Sequence, residues 1–234
     1  MLKIDCFMIS PGQITTCLGM ILLLALPGTA PATGQETNAP LTSAAAMDHF
    51  QKALDFRSKQ QWDKALVEAN AALKEDPANA RLLVVRGDLY VKKKLWKEAT
   101  EDFSAAAKLK PDDAIPAYDL AEVRFMQKDY QNARVIFLVL LKDKQLGEFA
   151  KYKVFLCDLM GESLDGAEEE LAEFNRLGGG ASYYYANATW ELYHHRPEEA
   201  RKWLDSAARI YSREKNEIYR STLFELGFLK APEK

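Results

Sequence analysis

A period of 34 residues runs through the first half of the folded part of this 234-residue chain. Trp62, Ala65, Ala69, Ala72 and Pro77 return as Trp96, Ala99, Phe103, Ala106 and Pro111, and upstream Ala53 and Phe56 return as Gly87 and Tyr90. Self-similarity at such a period marks stacked supersecondary units, because one short unit cannot bury its own apolar face and must lean on a copy of itself. The spacing within each block says what the unit is. Two antiparallel helices approach closely only where side chains are small, which puts Ala53 against Ala65, and Gly87 against Ala99, where backbones cross. Trp62 and Trp96 cover the turn, and Pro77 and Pro111 disfavour helix at Asp76 and Lys110 and so end the second helix of each pair. Strict apolar alternation is absent from this region, so no strand pattern competes.

These residues resemble the tetratricopeptide repeat, a helix-turn-helix unit with small residues at positions 8, 20 and 27, aromatics at 11, 17 and often 24, and proline at 32. Ala46 and Ala80 take position 1 of the first two units. A third unit from Ala114 keeps Ala121, Tyr130, Ala133 and Phe137 in phase, with Arg124 at the aromatic position and Gln145 where proline is expected. A fourth from Glu148 keeps Ala167 and Leu171, although Phe155 and Asp158 replace the small and aromatic residues. The fifth slips by one residue after Gly178-Gly179-Gly180 and starts near Ala181, with Ala188, Ala200, Leu204 and Ala207 in place. Pro197 followed by Glu198 and Glu199 is a first-turn arrangement for its second helix.

Beyond Ser212 an amphipathic segment, Glu214 to Lys230, lines up Ile218, Thr222, Leu226 and Leu229 and reads as a capping helix over the last repeat. At the other end, positions 3, 7 and 10 of the first unit are Asp48, Lys52 and Asp55, against Leu82, Arg86 and Leu89 in the second, so the array is expected to start at the first unit. The prediction is an all-α chain: a right-handed α-solenoid of five helix pairs plus a C-terminal cap, eleven helices over residues 46–230.

The resemblance also implies where a partner sits. In the family the first helices line a concave groove faced by positions 2, 5, 9, 12 and 13. Position 5 is Phe50, Val84, Tyr118, Tyr152 and Tyr185 here, an aromatic column; position 9 is Leu54, Asp88, Glu122, Leu156 and Thr189. Position 12 contributes Arg57, Val91, Phe125, Leu159 and Leu192, and position 13 contributes Ser58, Lys92, Met126, Met160 and Tyr193. Aromatic and Met side chains along a groove anchor binding energy once covered, which points to a protein or peptide partner. Two alternatives stay open: tyrosines at position 5 pack within their own helix pairs, or the rings stack on a glycan or a small apolar ligand. A clamp for a partner's C-terminal carboxylate is not expected, because no unit has Asn at position 9.

Catalysis has no visible constellation. The chain lacks H-E-x-x-H, G-x-S-x-G, a Walker loop and C-x-x-C. His194 and His195 are adjacent, so on a helix they diverge by about 100° and cannot share a metal unaided. His49 reads as a packing residue, Cys157 as a small buried side chain, and Gly178-Gly179-Gly180 as an inter-repeat turn. The expectation is no enzyme activity, no cofactor and no metal. Against 34 acidic side chains stand 31 basic ones, a formal charge of -3, with the cations scattered, so nucleic acid is excluded as a partner class.

The N-terminus points outward from the cytoplasm. An apolar run from Cys17 to Leu26 is followed by Pro27 and Gly28 and then by Ala30 and Ala32 at A-x-A spacing, which reads as a secretory signal peptide over residues 1–32. Extended back to Ile14, the run still falls short of the ~20 residues that cross a bilayer, and Lys3 is offset by Asp5, so an uncleaved anchor is the rival. Cys17 opens the run instead of following it, which removes a lipoprotein. Residues 33–45 are small and polar without periodicity, a linker. The expected location is periplasmic or secreted, with membrane contact only through an uncleaved N-terminal segment.

Overall fold

The computed structural model describes residues 43–177 and 179–230, so the signal segment and nearly all of the linker lie outside the described residues. Eleven helices and no strand occur among them. They are α1 (Ala44–Ser58), α2 (Trp62–Glu75), α3 (Ala80–Lys92), α4 (Trp96–Leu109), α5 (Ala114–Met126), α6 (Tyr130–Leu140), α7 (Gly147–Met160), α8 (Leu164–Leu177), α9 (Gly180–Tyr193), α10 (Pro197–Ile210) and α11 (Arg213–Glu225). The first begins two residues ahead of the repeat start chosen from the period, because the Ser43 hydroxyl accepts the Ala46 amide at 3.0 Å and caps the helix there.

The repeat is written into the backbone more regularly than into the side chains. Gln60, Lys94, Lys128, Glu162 and His195 all have φ between 56° and 64°, in the left-handed region, at position 15 of every unit including the one that slips. Each sits just past the end of a first helix. There the next amide reaches back five residues, as Leu95 N–H does to the Tyr90 carbonyl at 2.9 Å and Asp129 N–H to Arg124 at 2.9 Å, closing a Schellman motif. None of the five is glycine. The second helices stop where proline demands it: Asp76 and Lys110 leave the helical region with nearly identical angles, φ −138° and −134°.

The described chain forms two compact units, divided within α6 between Ile136 and Phe137. In the N-terminal unit Ala53, Ala65, Leu66, Ala69 and Leu89 make one core cluster, and a second joins Phe50, Leu82, Val85, Ala99, Phe103 and Ala106. Gly87 is placed as its spacing demands, although its closest neighbour is not Ala99: a Cβ there would stand 2.6 Å from the Phe103 ring. Arg86 on α3 ties three helices together. It grips Asp102 on α4 through two bonds of 2.7 Å and donates to Asn70 on α2 at 2.9 Å, a fork geometry only arginine offers.

In the C-terminal unit Cys157 is buried, as expected, and Asn187 turns inward to donate to the Tyr183 carbonyl at 2.9 Å. The N-terminus of α9 is built differently from those of α3 and α5. Asn79 and Asp113 cap α3 and α5 with their own side chains, whereas the residue at that place before α9 is Gly179, with φ 75°. A carboxylate from one repeat earlier stands in for the missing cap: Glu148 Oε1 on α7 accepts the Ser182 amide at 3.2 Å. Lys215 on α11 donates to the other oxygen at 2.9 Å.

Candidate functional site

The column at position 5 is in the interior. Phe50, Tyr118, Tyr152 and Tyr185 are each 4% exposed or less and Val84 is buried with them, so the rings belong to the core and do not stand bare along a groove. Val91, Glu122, Phe125, Leu156, Leu159, Thr189 and Leu192 are buried as well. Tyrosine serves this placement because its hydroxyl finds partners inside: Tyr152 and Thr189 share a hydrogen bond of 2.8 Å, and Tyr185 donates to Asn216 at 3.0 Å. Burial raises the phenol of both rings above the ordinary range.

On the side of the first helices that carries these positions, the N-terminal unit keeps a shorter set open to solvent, and Ser58 at the end of α1 is exposed beside it. Leu54 and Arg57 on α1, Asp88 and Lys92 on α3, and Asp119 and Met126 on α5 are partly exposed. Arg57 and Asp88 pair at 3.3 Å, each side chain only 17% exposed. Burial pushes the Asp88 carboxyl up to about 6, against the pull of Arg57 and Lys92. Asp119 is raised well above the usual carboxylate range, first by burial and then by Asp88, Glu122 and Asp113, with Arg57 opposing. The surface therefore carries two carboxyls, both drawn toward the neutral form, beside Arg57 and Lys92, over an aromatic base. Asp119 was not among the residues the register assigned to the groove. Its position 6 lies one helical turn from positions 2 and 9, on the face those two share.

In the C-terminal unit the corresponding surface is covered. Tyr219 of α11 stacks on Tyr185 with ring centres 4.9 Å apart and meets Phe149 at 5.0 Å and Tyr152 at 5.4 Å. Of the residues assigned to the groove in this unit, Met160 and Tyr193 keep partial exposure, the Tyr193 ring against that of His194 at 5.4 Å. The capping helix is present, but its buried face is Asn216, Tyr219, Thr222 and Leu223. Only Thr222 of the expected stripe lies fully in it; the true face is turned by about one residue, which is about 100° on a helix.

A second surface escaped the period. Val135, Leu138 and Val139 share one face of α6 and are 61%, 37% and 74% exposed. The signal was there in the unbroken apolar run from Val135 to Leu141, which has no polar face to turn outward. Among the described residues no group of three His, Cys, Asp or Glu side chains is arranged to hold a metal, and no helix is long and apolar enough to cross a membrane.

No family model and no curated protein matches the chain. Solved structures do. MamA from residue 41 onward, of Desulfovibrio magneticus RS-1, superposes with a TM-score of 0.58 at 14% identity, covering 72% of this chain and 96% of that one. PilW, described as a widely conserved type IV pilus biogenesis factor, gives 0.57 at 18% identity over 80% of this chain and 88% of its own. YrrB, described as a TPR protein with an unusual peptide-binding site, gives 0.51 at 22% identity over 76% and 92%. Similarity at this identity establishes the fold.

Proposed function

We propose, from the premise that this chain has the tetratricopeptide-repeat fold, that it is a non-catalytic scaffold that binds a protein partner in the cell envelope or outside the cell. Scaffolds of this fold work by presenting a face, and what supports a face here is the set Leu54, Arg57, Asp88, Lys92, Asp119 and Met126, contributed by three successive first helices and partly open to water. Its charges are balanced, Arg57 and Lys92 beside Asp88 and Asp119, which suits a partner segment with polar groups of its own, and Leu54 and Met126 supply apolar contact. A glycan would need open ring faces to stack on, and the rings of the column are inside. Export rests on the apolar run and the A-x-A spacing of the N-terminal segment. PilW, an assembly factor by its description, and YrrB, with its peptide-binding site, are uses of the same fold compatible with this proposal.

The test is site-directed photocrosslinking in the native host, with a benzophenone side chain at Met126 or Lys92 and, as reference, at exposed Val67 on α2. A discrete adduct from the first two positions and none from the third is the expected result. Adducts from Val67 alone would move the interaction to the opposite side of the helices.

A further inference from the structure

The helix that closes the C-terminal unit makes contacts that a plain end-cap does not need. A cap has to cover the last pair, α9 and α10. Tyr219 reaches past them to Phe149 and Tyr152 on α7, one repeat further back, while stacking on Tyr185 of α9. Lys215, one helical turn earlier, extends to Glu148 of α7 at 2.9 Å and lies over the Tyr211 ring at 5.1 Å. Leu223, one turn later, is fully buried. These three residues at i, i+4 and i+8 are the anchors by which an amphipathic helix is held in a groove, and the walls of this groove are the first helices of two successive repeats.

The hold is also light. Four of the 13 residues of α11 are buried, Asn216, Tyr219, Thr222 and Leu223, and two of these are polar. In α7 eleven of 14 are buried. The contacts of Lys215 with Glu148 and of Asn216 with the Tyr185 hydroxyl are of the kind water can replace when a helix leaves, in contrast to the apolar interior beneath.

We propose that α11 is a built-in, detachable occupant of the groove between α7 and α9, and that the partner this groove takes is a helix carrying a lysine, a tyrosine one turn on and a leucine one turn beyond that. The proposal rests on the scaffold function and adds a second site to it, closed in the free chain. A competing helix gains the Glu148 carboxylate and the slot among Phe149, Tyr152 and Tyr185 only when α11 lets go, so the chain's own helix sets the threshold for binding.

Two measurements on the full chain decide this. In the wild type, hydrogen exchange of amides 213–225 should run at least ~10-fold faster than that of α9, because detachment of one helix costs less than global unfolding. The second uses a synthetic peptide of residues 212–229 as the probe. It should bind the Tyr219→Ala chain at least ~10-fold more tightly than the wild type, whose intact α11 competes, and the same peptide with alanine for its tyrosine should bind neither. Circular dichroism confirms that the variant is folded, and if it is not, Lys215→Ala takes its place. Exchange of α11 at the rate of α9, or a folded variant that ignores the peptide, overturns the proposal. Adducts at Met126 and Lys92 in the same preparation would leave the scaffold function standing.

Discussion

Lys128 and Gln127 are neighbours at the end of α5, both exposed, yet glycine should act on them in opposite directions. Lys128 holds φ 64°, where a Cβ costs about 1–2 kcal/mol, more than the ~0.5–1 kcal/mol of backbone freedom that glycine must give up on folding. Gln127 is helical, with φ −77°. Lys128→Gly should therefore raise the unfolding free energy by ~0.5–1 kcal/mol and Gln127→Gly should lower it by a similar amount, read from urea denaturation at constant m. Asp88 offers a different test. Its folded pKa of about 6 lies above the ordinary aspartate value of 3.8, so the folded chain holds more protons than the unfolded one between those limits. Stability from this group is complete below 3.8 and is lost as pH rises toward about 6, by on the order of 1–3 kcal/mol. Subtracting the pH profile of Asp88→Asn from that of the wild type should leave this falling limb. A flat difference would mean that Arg57 already holds Asp88 ionised.

Between paired helices the tightest point is Gly87. Its hydrogen faces the Phe103 ring, which is 1% exposed and has nowhere to move. Gly87→Leu should lower stability by ~3 kcal/mol or more, and Phe103→Leu added to Gly87→Ala should recover part of the loss of Gly87→Ala alone, since the clash is between those two groups. The midpoint of helical circular dichroism on heating measures both. This pairing was legible in the sequence because small residues and helix stops act locally, and Gly87, Ala99 and Pro111 mean the same thing in any helix pair. The direction of Tyr118, Tyr152 and Tyr185 was not. A tyrosine is long enough to serve a groove or a core, and the outcome turned on partners such as Thr189 and Asn216, 37 and 31 residues away from Tyr152 and Tyr185. The face of α11 failed for a related reason: Ile218 and Tyr219 are adjacent, both apolar in part, and the packed one is the residue that finds other rings.

At the scale of the whole molecule, the proposed export predicts that the protein recovered from cells by osmotic shock begins near Thr33. Recovery only from membranes, with Met1 or Lys3 still present, would establish the uncleaved anchor in its place. The repeats themselves differ in how far each depends on the others. Asn79 and Asp113 directly precede the helices they cap, so the opening amides of α3 and α5 are satisfied by an oxygen from the adjoining chain. Those of α9 are not. Glu148→Ala should cost ~0.5–2 kcal/mol, the range of a lost cap, although the residue changed lies 34 positions from the amide it serves.

That borrowed carboxylate bears on how an array of this kind can change length. A duplicated unit inserted ahead of α3 arrives with its own caps and its own proline stop, and the chain simply gains a segment. The same insertion between α8 and α9 moves Glu148 away from Gly180 and Ser182, strands the first amides of α9, and leaves Lys215 without its acceptor. Growth by copying is therefore open at the front of the molecule and closed at the back, where α7 to α11 must be inherited as one block.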